Sequence, residues 1–330
     1  MKKIRYGIIG FGGFAEQSIL PAMRKSGNSE LVAIQKRSLE QAKKKAQEYS
    51  IPLYFDSVDS LVGSPEIDAV FIVSSNAQHH RETLAAAHKG KHVLVEKPMS
   101  VTFPEAEEMV AACEKANVKF MVAHMVRFSP AIRRVKEIVS SGMLGEISYA
   151  RSEFYYNAAY SRRRWIRDRK EAGGGPWFDI GVHCLDTMRF VLDADVTRVT
   201  GLMRNETSDT TESTSIVGVE MSGRILGTIY TSFETGHRNS LLEIIGSKGV
   251  VRIRNFTLSN CTPTVVTETA DNGDIQKVTE EEITVPDLYT LEISHFSDCI
   301  LNNTQPVISS ESSLHNQFIL GKALALVNEK

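Results

Sequence analysis

Nowhere does the 330-residue chain hold the roughly twenty consecutive apolar residues that a membrane-spanning helix requires. None of its four cysteines stands in a Cys-x-x-Cys pair either. Cys113, Cys184, Cys261 and Cys299 are scattered, so no zinc site can be built from their spacing, and they read as reduced, buried thiols of a cytoplasmic protein. A dominant charge is also missing. Lys and Arg total 38 against 40 acidic residues, a formal net charge of -2, so no global field recruits nucleic acid or an anionic membrane. There is no internal repeat and no low-complexity tract. The opening Met1-Lys2-Lys3 has the charge of a signal-peptide start, but Arg5 and four glycines up to Gly13 interrupt the apolar stretch behind it, and no small-residue cleavage site comes after. That segment is expected to be a first strand entering a turn.

What is present is an ordinary globular composition, 42% hydrophobic and 24% charged, in a chain long enough for two domains with full cores. Up to about residue 125, short apolar runs alternate with helical patterns. The strands expected are Ile4–Ile9, Leu31–Gln35, Ala69–Val73, His92–Val95 and Lys119–Ala123. The helices expected between them are Phe14–Lys25, Glu40–Tyr49, His80–Lys89 and Phe103–Ala116. Strict alternation implies βαβ units and a doubly wound parallel sheet. After about residue 145 the pattern turns to alternating strands: Ile147–Tyr155, Val196–Met203, Ser213–Val219, Ile225–Phe233, Leu241–Ile245 and Val250–Ile253. Helices are expected at Phe178–Leu192, Tyr289–Leu301 and Leu314–Val327. The fold class is therefore α/β: a Rossmann domain over residues 1–125, then a domain over 126–330 built on a large, mostly antiparallel open sheet. The last helix is free to pack back on the first domain.

The first strand runs into Gly10-x-Gly12-x-x-Ala15, a dinucleotide fingerprint with alanine in its third place. Gly10 permits the sharp turn, Gly12 lets the backbone approach a pyrophosphate, and Ala15 keeps helix and strand close. Gly13 and Phe14 complete the helix start whose amides face the phosphates. Glycine-rich turns also simply end strands; the position at the first βα junction is what favours the cofactor. At the end of the second strand an NAD site usually carries an acid for the ribose hydroxyl. Here Gln35-Lys36-Arg37-Ser38 has none. Arg37, helped by Lys36 and Ser38, suits a 2′-phosphate, so NADP is preferred over NAD.

Two further motifs stand out. Gly90-Lys-His-Val-Leu-Val-Glu96-Lys97-Pro98 carries the fourth strand and closes in a Glu-Lys-Pro turn, and Gly173-Gly-Gly-Pro-Trp-Phe-Asp179-Ile-Gly-Val-His183-Cys184-Leu-Asp186 comes much later. With the Gly10 turn, Ser75-Asn76, His79 and Arg127-Phe128-Ser129-Pro130, they resemble the glucose–fructose oxidoreductase and inositol dehydrogenase (Gfo/Idh/MocA) family over nearly the whole chain. The resemblance implies a Rossmann domain followed by an α/β domain whose open sheet makes oligomer contacts, here a homodimer or homotetramer. It places the active-site lysine on Lys97 and the Asp and His on Asp179 and His183. Ser75, Asn76, His79, Glu96 and Lys97 would line the cofactor cleft, with Arg127 at the substrate. It also implies a sugar, anhydrosugar or cyclitol as substrate.

The residues themselves suit that chemistry. Asp179 and His183 are four apart on one face of an expected helix start. There Asp179 serves either as a helix cap or as the carboxylate orienting the imidazole. His183 is a proton partner near neutral pH, and Lys97 is suited to stabilise charge on a reacting oxygen. The bland readings are a satisfied cap and a surface lysine before a proline. Asp186 serves equally as a helix-face hydrogen bond or a substrate contact. His79, His124 and His183 lack ligand spacing, so no metal is expected. The basic run Ser161–Lys170 lacks any nucleic-acid fold around it. It reads either as a plain surface loop or as a loop over the cleft, with Trp165 stacked on a sugar or nicotinamide ring. Tyr156, Tyr160 and Tyr289 are weaker pocket candidates. Beside hydride transfer, a dinucleotide-dependent glycosidase and a non-catalytic dinucleotide sensor remain as alternatives.

Overall fold

A computed structural model of the protein describes residues 2–161, 163–205, 210–271 and 273–328. The chain divides into two compact units, Met1–His124 with Tyr289–Gln317, and Met125–Leu288 with Phe318–Lys330. Residues 289–317, placed by the sequence pattern in the second domain, thus group with the first unit.

The first unit is built on β1 (Ile4–Ile9), β2 (Ser29–Gln35), β3 (Leu53–Phe55), β4 (Ala69–Ile72), β5 (His92–Glu96) and β6 (Phe120–Ala123). They form one sheet in the order β3-β2-β1-β4-β5-β6, with every pairing parallel. The helices between them are α1 (Leu20–Lys25), α2 (Leu39–Tyr49), α3 (Val58–Val62), α4 (Asn76–His88) and α5 (Phe103–Lys115). Central strands of a parallel sheet are covered on both faces, and β4 (Ala69, Val70, Phe71, Ile72) is buried at every position. Val70, Phe71 and Ile72 each contribute about 1.5–3 kcal/mol by leaving water. The order reverses between β1 and β4, which puts the glycine turn after β1 at the topological switch point where open α/β sheets bind ligands. Strand β3 and helix α3 went unanticipated. Leu53–Phe55 is three half-buried residues, too short for a period to register.

The second unit opens with α6 (Pro130–Ser140) and β7 (Ile147–Asn157), then α7 (Arg169–Ala172) and α8 (Val182–Leu192). Next come β8 (Val196–Asn205), β9 (Glu212–Met221), β10 (Ile225–Ser232), β11 (Glu234–Gly246), β12 (Gly249–Arg254), β13 (Thr264–Asp271) and β14 (Asp274–Glu282). The eight strands are ordered β14-β13-β12-β11-β7-β10-β9-β8. Their pairings are antiparallel except β10 with β7. One face alternates buried residues such as Val217, Val219 and Ile229, and α8 packs on it beside β7. The chain ends with α9 (Leu288–Leu301) and α10 (Ser310–Asn328). The early part of α10 serves the first unit, where Leu314 packs on the sheet's core.

Candidate active site

The turn after β1 is shaped by Gly10, whose φ of +81° lies where residues with a Cβ are strained. A Cβ there would also lie 2.8 Å from the backbone of Ser74. Gly12 and Gly13 differ: a Cβ on Gly12 would meet nothing closer than Gly10 O at 3.7 Å, and one on Gly13 nothing within 4 Å. The space over those two residues is open, which is the cradle a pyrophosphate needs. Ala15, buried, starts a π-helical turn (Ala15–Ile19) that continues into α1, so the first N–H groups of that helix stand at the cradle.

Gln35 had not been singled out from sequence, yet it braces the turn. Gly10 N donates to its Oε1 at 3.2 Å, Phe11 N donates to its backbone O at 3.0 Å, and its Nε2 donates to Asp56 O at 3.1 Å. Lys36 donates from Nζ to Phe11 O at 2.6 Å, and burial lowers its pKa. It therefore holds the turn and does not reach outward. Ser38 caps α2 by accepting from Gln41 N, while Arg37 is exposed. Phe14 packs edge-on against Tyr289, ring centres 5.6 Å apart.

Behind the turn, Ser74 links two buried titratable groups on α4. Its hydroxyl donates to Glu82 Oε2 at 2.5 Å. Its carbonyl lies 3.3 Å from His79 Nε2, whose Nδ1 is 3.0 Å from Pro98 O. Burial pushes His79 down to about 4 and Glu82 up to about 7, so both favour their neutral forms. A neutral ring has one N–H and donates to one of the two carbonyls at a time. The stability consequences oppose one another. Folded His79 resists a proton that the unfolded chain accepts below about 6.5, so stability is lost as pH falls from there through about 4. Folded Glu82 keeps a proton that the unfolded chain releases above about 4.5, so stability is lost as pH rises from there through about 7. Each spans about 3 kcal/mol. Glu82→Gln should therefore gain stability over the parent as pH rises from 4.5 to 7, and His79→Gln should gain as pH falls from 6.5 to 4. Urea unfolding across that range would show it, and parallel curves would refute it.

Further along the same unit, β5 ends at Glu96, buried, and Lys97 follows, half-buried, ahead of a cis Lys97–Pro98 bond. Ser75 and Asn76 lie at the start of α4.

The second unit assembles the other half of the expected chemistry. Asp179 falls within a π-helical turn, Trp177–Gly181, that runs into α8. It is not the helix cap considered above; its carboxylate is turned to a different use. Arg163 Nη1 donates to Asp179 Oδ1 at 2.9 Å and Arg163 Nη2 to Oδ2 at 2.9 Å. The Tyr156 hydroxyl donates to Oδ2 at 3.0 Å and accepts from Arg163 Nη2 at 3.1 Å. This bidentate, charge-assisted clamp raises the Arg163 pKa through Asp179's charge, and burial raises that of Tyr156. His183, four residues on, is buried with its ring 6.1 Å from Phe154, and Phe154 and Phe233 flank Tyr156. Arg238 stands over the Phe154 ring at 5.2 Å.

Arg163 is the member sequence reasoning missed. It lies in the basic run, and nothing in a row of arginines distinguishes the one that turns inward; its guanidinium also lies 6.0 Å from the half-buried Trp165 ring. Arg162, of the same run, lies outside the described residues. Arg127 and Asp186 form a buried pair, with Nε to Oδ2 at 2.9 Å and Nη2 to Oδ1 at 2.6 Å. That pair ties Arg127 to α8. Tyr160 is exposed, and Cys261 is only half-buried, unlike the other three thiols. Among the described residues no group of three His, Cys, Asp or Glu is placed to hold a metal, and no helix is long and apolar enough to cross a membrane.

Residues 4–124 match the family described as "Oxidoreductase family, NAD-binding Rossmann fold", and 132–252 match the "GFO/IDH/MocA C-terminal domain". The chain belongs to the Gfo/Idh/MocA family. It is accordingly a nicotinamide-dinucleotide-dependent oxidoreductase, and the open glycine cradle fits that cofactor. Among relatives, the chain is 30% identical over 328 residues to a 1,5-anhydro-D-fructose reductase of Ensifer adhaerens, covering 98% of this chain and 95% of that one. It is 26% identical over 329 residues to a D-xylose 1-dehydrogenase [NADP(+)] of Haloarcula marismortui, covering 94% and 87%. Among solved structures, a putative NADPH-dependent oxidoreductase from Desulfitobacterium hafniense superimposes with a TM-score of 0.90 at 23% identity, covering 100% and 96%. The aldose-aldose oxidoreductase of Caulobacter crescentus gives 0.87 at 24% identity, covering 99% and 98%. These last two speak for the shared Gfo/Idh/MocA fold.

Proposed function

We propose that this protein transfers a hydride between NADP(H), or less favourably NAD(H), and a carbon of a sugar, anhydrosugar or cyclitol. The observation that carries the proposal is the clamped Asp179 cluster beside His183, in a chain that also holds an open dinucleotide cradle. The names of its relatives, a reductase of 1,5-anhydro-D-fructose and a dehydrogenase of D-xylose, agree with it. Gly10, Gly12, Gly13, Phe14 and Ala15 would hold the diphosphate, with Arg37 and Ser38 at the adenosine end. Ser75, Asn76, His79 and Glu96 would line the rest of the cofactor's site. When bound, the dinucleotide supplies or accepts the hydride.

This chain's own residues would manage the oxygen. Lys97 donates to the reacting oxygen and offsets its developing charge. His183 exchanges the hydroxyl proton. Asp179, held by Arg163 and Tyr156, keeps a fixed negative charge close to that exchange. Trp165 offers a flat apolar surface to a sugar ring. Phe154 and Phe233 pack on Tyr156, the tyrosine that donates to that carboxylate.

A panel of sugars, anhydrosugars, cyclitols and sugar nucleotides, followed at the NAD(P)H absorbance band, tests this reading. Stoichiometric cofactor turnover with a sugar-like compound supports it. Product formation with no net NAD(P)H change would point to the glycosidase, and inertness across the panel to the sensor. Arg37→Ala should weaken NADP(H) by about tenfold, the scale of one charge-assisted hydrogen bond at an exposed site, and leave NAD(H) nearly unchanged. Equal losses in titrations with both would count against the preference for NADP.

We further assign a cytoplasmic location, and a homodimer or homotetramer formed through the large sheet. Leu202 and Ile216, cross-strand partners on β8 and β9, are exposed, as is Leu226 on β10, and covering them would remove apolar surface from water.

A further inference from the structure

Glu212, the first residue of β9, is buried beside the turn that carries Asp179. Trp177 N donates to its Oε1 at 3.0 Å. Burial raises the carboxyl's pKa, and the N–H groups of Gly175 and Trp177 oppose that rise. The two segments touch so closely that a Cβ on Gly175 would lie 1.9 Å from Glu212 O, an approach open only to glycine. Asp179 in turn depends on that same glycine, since Asp179 N donates to Gly175 O at 2.9 Å.

The two residues before Glu212 hold the other segment of the cluster. Thr211 Oγ1 donates to Ile166 O at 3.0 Å and Thr211 N to Arg167 O at 3.2 Å. Thr210 pairs with Asp168 as an isolated bridge and accepts from Arg169 Nε at 3.4 Å. Residues 210–212 thus act as a splint. One side grips the loop that brings Arg163, and the other grips the turn that brings Asp179. Packing alone does not call for a carboxyl at the gripping point, because burying one costs free energy that an apolar side chain of the same size does not.

We propose that Glu212 is a positioning residue: by holding the backbone of Gly175–Trp177 it sets where Asp179 meets Arg163 and where His183 stands. The proposal rests on the catalytic reading of Asp179 and His183, so its test includes a measurement that needs no substrate.

Glu212→Ala and Glu212→Gln are compared with the parent for kcat, for the Kd of NADPH, and for the His183 imidazole titration followed by NMR. Displacing reacting groups by about an ångström costs about 100-fold, so Glu212→Ala should lose about 10- to 100-fold in kcat with the Kd of NADPH within about twofold. The His183 titration should shift in that variant. Glu212→Gln keeps an acceptor for Trp177 N and should restore kcat and the titration nearly to the parent's. Should Glu212→Ala not fold, Glu212→Met, which fills the space without an acceptor, replaces it. An unmoved His183 titration in the variant without the acceptor overturns the proposal, as does a glutamine variant displaced as far as that one. If the parent turns over no sugar-like substrate, the catalytic reading fails, while the NMR comparison still decides the positioning role.

Discussion

Lys97→Ala is expected to lower kcat by about 10²–10³-fold, the loss usual when one donor to a developing oxyanion is removed, with NADPH binding changed less than threefold. The effect should fall on chemistry because of where Lys97 sits. It follows the last residue of β5, a rigid central strand, and the carbonyl of Pro98 faces the buried His79 ring. Its backbone is therefore set by the sheet whether or not the amine is present, and the glycine cradle lies after a different strand. Lys97→Arg should recover only part of the loss, because a planar fork does not replace a compact ammonium. Stopped-flow single turnovers beside NADPH titrations would measure both quantities. Wild-type turnover in the alanine variant, or a collapse in NADPH affinity with kcat intact, would remove Lys97 from the reaction.

The second large effect belongs to Arg163. Asp179's side chain is 9% exposed, and both of its oxygens accept from the one guanidinium. Removing one partner of a buried pair leaves the other charge desolvated, so Arg163→Ala should let Asp179 take up a proton that the parent excludes. A neutral carboxyl no longer supports the imidazolium form of His183, and kcat should fall by about 100-fold at neutral pH, about 2.7 kcal/mol. The stability cost is smaller, ~1 kcal/mol, because Arg163's own side chain is 40% exposed and its charge is screened. Tyr156→Phe removes one hydrogen bond from the same carboxylate and should cost about tenfold in kcat. Its hydroxyl is pushed up by burial and by Asp179, so it remains a donor across the working pH range. The kcat–pH profile is the decisive measurement: an Arg163→Ala profile matching the parent's in height and shape would detach the clamp from catalysis.

The legible parts of this fold were those where one residue type has one physical use. Gly10 is needed because of its positive φ and the closeness of Ser74, so the turn could be read before any coordinates. Buried runs such as Val70-Phe71-Ile72 announce a central parallel strand. By contrast, β14 escaped notice. It carries Asp274, Lys277, Glu280, Glu281 and Glu282 and is largely exposed, so it shows none of the alternation that marks a half-buried strand. Helix α6 was passed over although Pro130 opens it at a position where proline is favoured. At the site, Asp179 and His183 could be named from their motif, but Tyr156 only as a weaker pocket candidate and Arg163 and Glu212 not at all. They reach the motif across the sheet and the loop, and no spacing rule links residues 16, 23 and 35 positions apart.

The acidic margin that made β14 hard to read bears on how the protein behaves at high concentration. A sheet ending in a bare strand offers its open N–H and C=O groups as a template for polymerisation. Glu281 is already held by Arg134, so a second copy's acidic β14 laid along this edge would bring like charge to Glu280 and Glu282, which disfavours edge-to-edge growth.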